Sequence, residues 1–551
     1  MVPKIAAQII RNTLIWLGIP MILVAFGDQV MAPLLPTSEP LQFRWVGNGL
    51  MLLAFIWGLR SHLLLLQFSD PEGMWRLKPR RLIRMGYYAR NRHPQWWSLQ
   101  IWILGALLTA GLPTFVVFLL LVISLSVGSL YLLRIEEPLL ARQFGDQYRD
   151  YREHTPFWGI KPRDPAAKEP TWVYQIAWIL GHVLFRWNYR ITADGLEHIP
   201  LEQSFIIVAR HASYLDPFLF GIFIPFPVHF VTTADAYTHP VKQWFMDQLY
   251  TFPIRRHVQD LAALRNIIKL TAAGKTVGIF PEGERSMDGS PGEIVPETVR
   301  VLQRCKVPIL PVEIDGAFEI WPRWSNVRRK GKVHVRFKPV IPVSETANGE
   351  KFTQRIRATI FPNEVTYHPV RTKRMAKGVE KLLWGCIHCG ATDTIREVGA
   401  DRVACEACGR VFTLLRNYHL QDRDGEQIAL NEWMQRLRHL ITPLQDPTGP
   451  ILPEGEVIYL QAILEQYRGP QNEVGQYRGA ELILSDRAFT IRQDGREAVR
   501  WLYPQITVCT VDTKDEFSLG ISGKRHIFRL AAPEHPLKWN NYFKHLTSRT
   551  N

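Results

Sequence analysis

Four apolar stretches dominate the first 135 residues of the chain. Each approaches the roughly 20 consecutive apolar residues that an α-helix needs to cross a bilayer. The last two are joined by Gly111-Leu112-Pro113, which predicts a tight helical hairpin. No small-residue cleavage site follows the first stretch, so we interpret it as a retained helix and not as a signal peptide. The pattern predicts four transmembrane helices, over residues 9–26, 45–66, 96–112 and 114–133.

Basic residues are distributed unevenly around these stretches. Lys4 and Arg11 precede the first one, and a run of arginines and lysines between Arg76 and Arg92 separates the second from the third. The loop between the first two is poor in basic residues. By the positive-inside rule, both termini and everything after residue 135 lie on the cytoplasmic side. The sequence therefore predicts an integral membrane protein with its enzymatic domains in the cytoplasm.

The pattern changes beyond a Pro- and charge-rich linker at residues 161–170. An aromatic-rich stretch from Trp172 to Trp187 predicts an interfacial helix that lies in the headgroup zone. From 195 to 365, β-rich runs alternate with helical stretches, which is typical of an α/β domain. The last hundred residues predict short strands and a closing amphipathic helix from Pro536 to Leu546.

Composition limits the classes of protein that fit this pattern. A chain of 551 residues is too long for one ordinary core, and 46% hydrophobic residues are too many for a purely soluble protein. The net charge of +15 indicates an anionic partner, which nucleic acid and anionic lipid headgroups would both satisfy. Four of the six cysteines form two C-x-x-C pairs, which favours a metal site in a reducing compartment over a disulfide framework.

A histidine and an aspartate follow the predicted strand at residues 204–209. A neutral imidazole such as that of His211 can take the proton of an attacking hydroxyl, and a carboxylate such as Asp216 can fix its tautomer. Taken alone, this H-x4-D pair is a weak signal, because a single histidine is usually structural.

Three further blocks follow the pair in order. They are Thr251–Arg256, Phe280–Ser286 and Val307–Ile314. Gly283 would let the backbone approach a ligand closely, and Arg256 and Arg285 offer fork-shaped donors for a phosphate.

Over residues 170–365 these blocks resemble the lysophosphatidic acid (1-acylglycerol-3-phosphate) acyltransferase family. The resemblance implies acyl transfer from acyl-CoA or acyl-carrier protein to the hydroxyl of a lysophospholipid or related glycerolipid. It implies His211 as the base and Asp216 as its partner, and an acceptor site made of Arg256, Glu282, Gly283 and Arg285.

Two positions depart from the family pattern. Arg210 stands where Asn is common, and Glu284 replaces a frequent Thr. Because Glu284 adds negative charge beside the expected phosphate site, a neutral or differently charged acceptor stays open.

Polar segments also flank the predicted helical hairpin. Met85–Pro94 ends in Arg-His-Pro, and Glu136–Tyr151 contains two adjacent glutamates and spaced tyrosines. Polar groups at the ends of membrane helices are costly and more often functional than decorative. Over residues 40–160 these features resemble the isoprenylcysteine carboxyl methyltransferase and phospholipid methyltransferase group. The resemblance implies an S-adenosylmethionine site at His93, Glu136, Glu137 and Tyr148.

One local difference weakens this second resemblance. After Arg-His-Pro the group usually has x-Tyr-x-Gly, whereas this chain has Gln95-Trp96-Trp97-Ser98, which would narrow the cofactor pocket. The alternative is a methyltransferase-like domain that has lost its activity and serves as a membrane anchor.

The two C-x-x-C pairs are separated by 15 residues. That spacing predicts a structural Zn²⁺ site, and Gly390 and Gly409 supply the tight turns after each pair. The neighbouring residues do not form a sustained basic and aromatic face, so nucleic acid is not an expected partner. The predicted ligands are Cys386, Cys389, Cys405 and Cys408.

Together, the sequence predicts a multidomain membrane enzyme. Residues 1–160 form an α-helical transmembrane bundle that is methyltransferase-like, and residues 170–365 form the α/β acyltransferase domain. A small zinc ribbon follows at 380–415, and a β-rich domain at 450–551 resembles a pleckstrin-homology-like or GRAM-like fold. The alternative hypothesis is an inactive membrane scaffold that recruits partners through the ribbon and the C-terminal domain. The intact polar residues of the acyltransferase blocks argue against it.

Overall fold

The computed structural model describes most of the chain after residue 40. The first predicted membrane helix, at residues 9–26, and the predicted acceptor ligand Arg256 lie outside the described residues. The chain forms two compact units. The first comprises Met1–Leu184, Gly195–Ile199 and Gly221–Pro227, and the second comprises Phe185–Asp194, Pro200–Phe220 and Val228–Asn551. The described residues are 41–72, 76–110, 114–159, 170–233, 237, 239–254, 261–361, 364–443, 456–469, 477–511 and 516–550.

The elements up to residue 189 are mainly helical. They are α1 (Leu41–Gln67), β1 (Ser69–Glu72), β2 (Arg76–Pro79), α2 (Pro94–Thr109), α3 (Thr114–Tyr131), α4 (Glu137–Phe144), α5 (Asp146–His154) and α6 (Trp172–Tyr189). A π-helical turn at Leu132–Glu136 joins α3 to α4, and β1 and β2 form a small antiparallel hairpin.

Two helical stretches of the described chain are long and apolar enough to cross a membrane by length and composition. They are Trp45–Gln67 and Val116–Phe144, and they support a membrane protein. The third predicted span is α2, whose 16 residues reach only about 24 Å, short of the roughly 30 Å of a hydrocarbon core. The described residues therefore support two of the four predicted membrane helices, and a bundle of four is not shown.

Small residues bring α1 and α2 close together. A Cβ added at Gly58 would lie 2.2 Å from the Ser98 Oγ, so only glycine fits there. Ser98 is fully buried, and its hydroxyl donates a hydrogen bond to the Ala54 carbonyl at 2.9 Å. The serine that replaces the usual glycine of the methyltransferase group is thus accommodated by a glycine on the facing helix.

The second unit begins with a seven-stranded sheet in the order β3-β9-β8-β4-β7-β5-β6. Every neighbouring pair is parallel except β8 with β9. Its strands are β3 (Thr192–Asp194), β4 (Ile206–Ala209), β5 (Val228–Thr233), β6 (Thr251–Ile254), β7 (Thr276–Ile279), β8 (Ile309–Asp315) and β9 (His334–Phe337). Its helices are α7 (Asp216–Gly221), α8 (Pro240–Gln248), α9 (Leu261–Ala272), α10 (Pro296–Cys305), α11 (Ala317–Ile320) and α12 (Gly349–Ile360).

Strands β4 and β7 explain why the sequence blocks meet. Both are buried along their whole length, as expected for parallel strands covered on both faces. Val208 of β4 is in register with Ile279 of β7 and with Pro311 of β8. Because the carboxyl ends of parallel strands share one edge of a sheet, the segments after β4 and β7 emerge side by side.

The cysteine-containing region forms a five-stranded antiparallel meander followed by a helix. This sheet extends to Ala429, beyond the predicted end of the ribbon at residue 415, because its last two strands have only three residues each and carry little sequence signal. The elements are β10 (Ile395–Glu397), β11 (Arg402–Cys405), β12 (Val411–Leu414), β13 (His419–Gln421), β14 (Gln427–Ala429) and α13 (Leu430–His439).

The C-terminal region is β-rich, with a second seven-stranded sheet in the order β18-β17-β16-β15-β21-β20-β19. A helix packs on it through Trp539, whose ring stacks on those of Phe489 and Phe517. The elements are β15 (Ile458–Arg468), β16 (Glu481–Ser485), β17 (Ala488–Gln493), β18 (Arg496–Leu502), β19 (Ile506–Val511), β20 (Glu516–Ile521), β21 (Lys524–Leu530) and α14 (Pro536–Thr550).

Candidate active site and cysteine cluster

A histidine–aspartate pair lies at the carboxyl end of β4. The His211 Nδ1 is 2.8 Å from the Asp216 Oδ2. Asp216 is fully buried, whereas 16% of the His211 side chain is exposed. The aspartate therefore orients the imidazole from behind, and the Nε2 side of the ring is the one on which a substrate proton would be received.

The turn between the two residues is built around the carboxylate. The same Asp216 Oδ2 also accepts hydrogen bonds from the backbone N–H groups of Ala212, at 2.7 Å, and Ser213, at 2.8 Å. Three donors on one buried oxygen stabilise its charge and fix the backbone that carries His211. The five-residue spacing in the sequence is thus the length of one closed turn.

Aromatic surface surrounds the imidazole. The His211 ring stacks on Phe280, with 4.2 Å between ring centroids and 17° between planes. Tyr214 and Phe218 follow on the same turn and helix, and each is 47% exposed. These exposed aromatic side chains place apolar surface beside the polar dyad.

Glu282 joins the first and third blocks. Its Oε1 accepts a hydrogen bond from the His211 N–H at 2.7 Å, and its Oε2 accepts one from the Gly292 N–H at 2.9 Å. Burial raises the pKa of Glu282 to about 7, although these two bonds and the charge of Arg210 act in the opposite direction. Both carboxylate oxygens thus hold backbone in place.

The raised pKa of Glu282 predicts a pH dependence of stability. An acid with a higher pKa in the folded state holds its proton more tightly there, so this stabilisation is complete below pH 4.5 and is lost as the pH rises to about 7. We expect the thermal unfolding midpoint of wild type to fall relative to that of Glu282→Gln as the pH rises across that window. Unfolding followed in detergent at a series of pH values measures it. The exposed Glu297→Gln on α10 is the control, and a difference that does not change with pH would contradict the expectation.

Gly283 and Arg285, two further residues of the predicted acceptor site, lie on the same loop. Gly283 has φ of +71°, a left-handed conformation that favours glycine. The Arg285 guanidinium carbon lies 3.2 Å from the centroid of the Tyr214 ring, in a cation–π contact. The turn of His211 and the loop of Arg285 are also joined by the backbone, since the Ser286 N–H donates to the His211 carbonyl at 2.9 Å.

Both departures from the family pattern have structural partners. The buried Arg210 guanidinium donates to the carbonyl of Gly289, three residues after the third block. Glu284 accepts a hydrogen bond from the Thr510 hydroxyl and lies 3.7 Å from the Arg323 guanidinium. The extra negative charge that the sequence places in this loop is thus compensated by a buried arginine.

A polar cluster occupies the first unit. The Glu137 Oε1 lies 2.9 Å from the Arg92 Nη1, in an ion pair, and 3.1 Å from the His93 Nε2, while the Glu136 Oε1 lies 3.7 Å from the His93 Nδ1. Burial opposes a charge on His93, but the hydrogen bonds and charges of both glutamates outweigh it and raise the pKa of the imidazole. Tyr148, the fourth predicted cofactor position, is buried, and its pKa is raised by burial.

An open cleft of about 510 Å³ adjoins this cluster through Arg92. None of the four predicted cofactor residues, His93, Glu136, Glu137 and Tyr148, lines the cleft. Trp96 packs against Trp97, Phe157 and Trp158, so aromatic side chains fill the space behind His93. The residues lining the cleft are Arg92, Arg152, Glu153, His154, Thr155, Pro156, Trp158 and Gly159.

The four predicted metal ligands converge. The Sγ atoms of Cys386, Cys389, Cys405 and Cys408 all lie within 4.8 Å of one another. Two of the sulfur–sulfur distances are 3.7 and 3.9 Å, close to the edge of about 3.8 Å in a tetrahedron with Zn–S bonds of about 2.3 Å. Gly390 and Gly409 have φ of +76° and +69°. The donor set and its geometry are compatible with zinc.

Several residues of the site were not singled out from the sequence as functional. Tyr214 lies between His211 and Asp216, and Phe280 is the first residue of the Phe280–Ser286 block. The sequence could have indicated them only as aromatic residues close to polar ones. Arg323 and Thr510 lie outside every block, and their contacts with Glu284 bridge long stretches of chain. No local pattern could have found them.

Comparison with known proteins places the similarity on this domain. The family described as Acyltransferase matches residues 190–315. The 1-acyl-sn-glycerol-3-phosphate acyltransferase of Bacillus subtilis is 26% identical over 121 residues, which cover 22% of this chain and 60% of that protein. The chloroplastic enzyme LPAT1 of Arabidopsis thaliana is 26% identical over 151 residues, which cover 27% of this chain and 42% of that protein.

A solved structure is also similar. The 1-acyl-sn-glycerophosphate acyltransferase PlsC of Thermotoga maritima shares 22% sequence identity, with coverage of 42% of this chain and 88% of that one and a TM-score of 0.32. The matches with the two enzymes above span 60% or less of those relatives' lengths. The family match and these relatives support an acyltransferase, with the matching domain at residues 190–315.

Proposed function

We propose that this chain transfers an acyl group from acyl-CoA or acyl-carrier protein to the free hydroxyl of a lysophosphatidic acid-like glycerolipid at the cytoplasmic face of a membrane. The single observation that carries the proposal is the His211–Asp216 pair at 2.8 Å, placed beside the Glu282–Ser286 loop. The relatives from Bacillus subtilis and Arabidopsis thaliana are both named as 1-acyl-sn-glycerol-3-phosphate acyltransferases, which supports such an acceptor.

The geometry fits acyl transfer by general base catalysis. The acceptor oxygen attacks the thioester carbonyl carbon while the His211 Nε2 takes the hydroxyl proton. The Asp216 carboxylate stabilises the imidazolium that forms, as its contact with Nδ1 allows. The carbon–sulfur bond then breaks, and the departing thiolate takes the proton back from His211. The base is restored, and the products are a free thiol and an ester.

An anionic acceptor suits the charges of the loop. Arg285 presents a guanidinium, the donor best matched to a phosphate. The objection raised by Glu284 loses weight because its carboxylate faces Arg323 and Thr510. We therefore infer a phosphate-bearing acceptor in preference to a neutral one.

A donor and acceptor panel tests the proposal. The full chain, purified in detergent, would receive labelled acyl-CoA or acyl-carrier protein with lysophosphatidic acid, lysophosphatidylcholine or monoacylglycerol. We expect lysophosphatidic acid to be acylated fastest. Preference for the neutral lipid would refute the phosphate site, and an absence of transfer to every acceptor would favour the scaffold hypothesis.

The polar cluster at Arg92, His93 and Glu137 favours a second candidate function, methyl transfer. We propose that it holds the polar groups of S-adenosylmethionine, which would supply the methyl group. Three observations support the fit. The charges are buried, a π-helical turn lies next to Glu137, where such turns are often functional, and the adjoining cleft falls within the roughly 300–1,000 Å³ usual for ligand pockets.

Calorimetry with S-adenosylmethionine tests this second proposal. We expect binding by the wild-type chain and a loss of affinity of about tenfold or more in Glu137→Gln, because one partner of a buried ion pair is removed. Asp146→Asn, whose side chain is 92% exposed, should bind like wild type. If millimolar ligand gives no heat of binding in the wild type, this region is an anchor and not a methyltransferase.

We also infer that the C-terminal region is a pleckstrin-homology-like domain. The support is its seven-stranded antiparallel topology, in which the first strand, β15, pairs with both β16 and the last strand, β21, and a helix follows.

A further inference from the structure

Glu284 makes contacts far from its own part of the sequence. The Thr510 hydroxyl of β19 donates a hydrogen bond to the Glu284 Oε1, although 226 positions separate the two residues. The Arg323 Nη1 lies 3.7 Å from the Glu284 Oε2. Thr510 and Arg323 are both buried, whereas 31% of the Glu284 side chain is exposed, so the contact is sheltered on its Thr510 and Arg323 sides. Sheltered charge-assisted hydrogen bonds are stronger than exposed ones.

Arg323 connects the loop to the C-terminal region at a second point. Its Nη2 donates to the Val511 carbonyl, and its Nη1 lies 3.4 Å from the Arg285 carbonyl, which accepts from it. The backbone of Arg285 and the side chain of Glu284 thus share one guanidinium. A buried guanidinium requires such partners, because it is costly to desolvate without them.

The strand that carries Thr510 is itself fixed. The Asn540 side-chain amide of α14 donates to the Cys509 carbonyl at 2.6 Å. Lys538, two residues earlier on α14, forms a buried ion pair with Asp393 of the cysteine-containing region. A chain of contacts therefore runs from the cysteine region through α14 and β19 to the loop of Glu284.

We propose that Glu284, Arg323 and Thr510 form a brace that positions Arg285 for the acceptor, so that the C-terminal domain is an integral part of the acyltransferase site. The proposal rests on the acyltransferase function proposed above. The three brace residues act through Arg285 and are positioning residues. The brace fixes the Arg285 backbone, and the Tyr214 ring beneath the guanidinium guides its side chain. The Glu that looked unfavourable for an anionic acceptor is on this account what holds the acceptor's arginine in place.

Thr510→Val tests the brace with almost no change in shape. Valine keeps the volume of threonine but cannot donate to Glu284, and loss of a hydrogen bond to a charged group corresponds to a rise of about tenfold in KM for lysophosphatidic acid. We expect kcat and the KM of the acyl donor to stay within about twofold of wild type, because the His211–Asp216 pair is not disturbed. Thr510→Ser retains the hydroxyl and should restore the wild-type KM. Thermal unfolding midpoints of the variants in detergent should match that of wild type within a few degrees.

Two further results separate positioning from a general structural role. Glu284→Ala should raise the acceptor KM, and adding Thr510→Val to it should raise KM no further, because both changes break the same contact. Equal KM values in Thr510→Val and wild type, or a fall in kcat alone, would overturn the brace.

A measurement that does not need activity distinguishes failure of the brace from failure of the acyltransferase proposal. Hydrogen exchange of residues 282–290 should be faster in Thr510→Val than in wild type and should return to the wild-type rate in Thr510→Ser. If the wild-type chain acylates no acceptor, the acyltransferase proposal fails and the exchange rates still decide whether the loop is held. Unchanged exchange in Thr510→Val would refute the brace whatever the activity.

Discussion

Replacing His211 with alanine is expected to lower kcat for acyl transfer by about 10²- to 10⁴-fold, the usual contribution of a positioned general base. The imidazole lies on a turn closed by three hydrogen bonds to Asp216, and no described histidine other than His211 lies on that turn. The variant should keep its fold, because the Ala212 and Ser213 amides still bind the carboxylate. Initial rates with labelled acyl donor and lysophosphatidic acid measure the effect.

Asp216→Asn is the companion to that measurement. The turn directs three hydrogen-bond donors at the buried carboxylate, and an amide there would add a fourth donor in place of an acceptor. The tautomer of His211 would then no longer be fixed, and the turn would be destabilised. We expect a loss of similar order to that in His211→Ala. His439→Ala, an exposed histidine at the end of α13, is the matched control and should have wild-type rates. Wild-type rates in His211→Ala would show that the pair is not the catalytic base.

The cysteine cluster leads to the second large effect. The wild-type chain should contain a single zinc ion, and Cys405→Ser should lose it and unfold the surrounding turns, because a closed four-thiolate site contributes folding free energy directly. Unfolding there would also leave the buried Lys538 without Asp393, so the C-terminal helix should loosen. Metal analysis and hydrogen exchange of residues 386–414 and of α14 measure the two effects.

His388→Ala is the control for the zinc prediction. This histidine lies inside the first C-x-x-C turn but is exposed and outside the group of converging sulfurs. It should therefore keep the metal and the wild-type exchange pattern. A chain that carries no zinc, or a Cys405→Ser variant that retains it, would argue that the four thiols are not a metal site.

The sequence predicted the features that depend on local patterns. The runs that became β4 and β7 are continuous and apolar, so their burial and their α/β setting could be read directly. The C-x-x-C spacing was sufficient to place four sulfurs together, because each pair is held by its own tight turn. The five-residue spacing of His211 and Asp216 is likewise a local turn.

Features that depend on contacts between distant parts of the chain could not be predicted from the sequence. Glu284 looked like a charge facing the acceptor, because its partner Thr510 lies on a strand in another region of the chain. Arg210 looked like a simple exchange for Asn, whereas its guanidinium reaches Gly289. Ser98 looked like an obstruction until the facing helix proved to carry Gly58. In each case nothing in the local sequence around the partner residue, Thr510, Gly289 or Gly58, indicates the contact.

The long separation between Glu284 and Thr510 has a consequence for how the protein matures on the ribosome. At about 5–20 residues per second, the 226 positions between them take on the order of 10–45 s to synthesise. During that interval the parallel sheet can form while Arg323 still lacks its C-terminal partners. The brace closes only when the last strands and α14 have emerged, so a nascent or truncated chain would carry the dyad without a fully ordered acceptor loop. Emergence of these strands and of α14 would thus be the step that confers acceptor affinity.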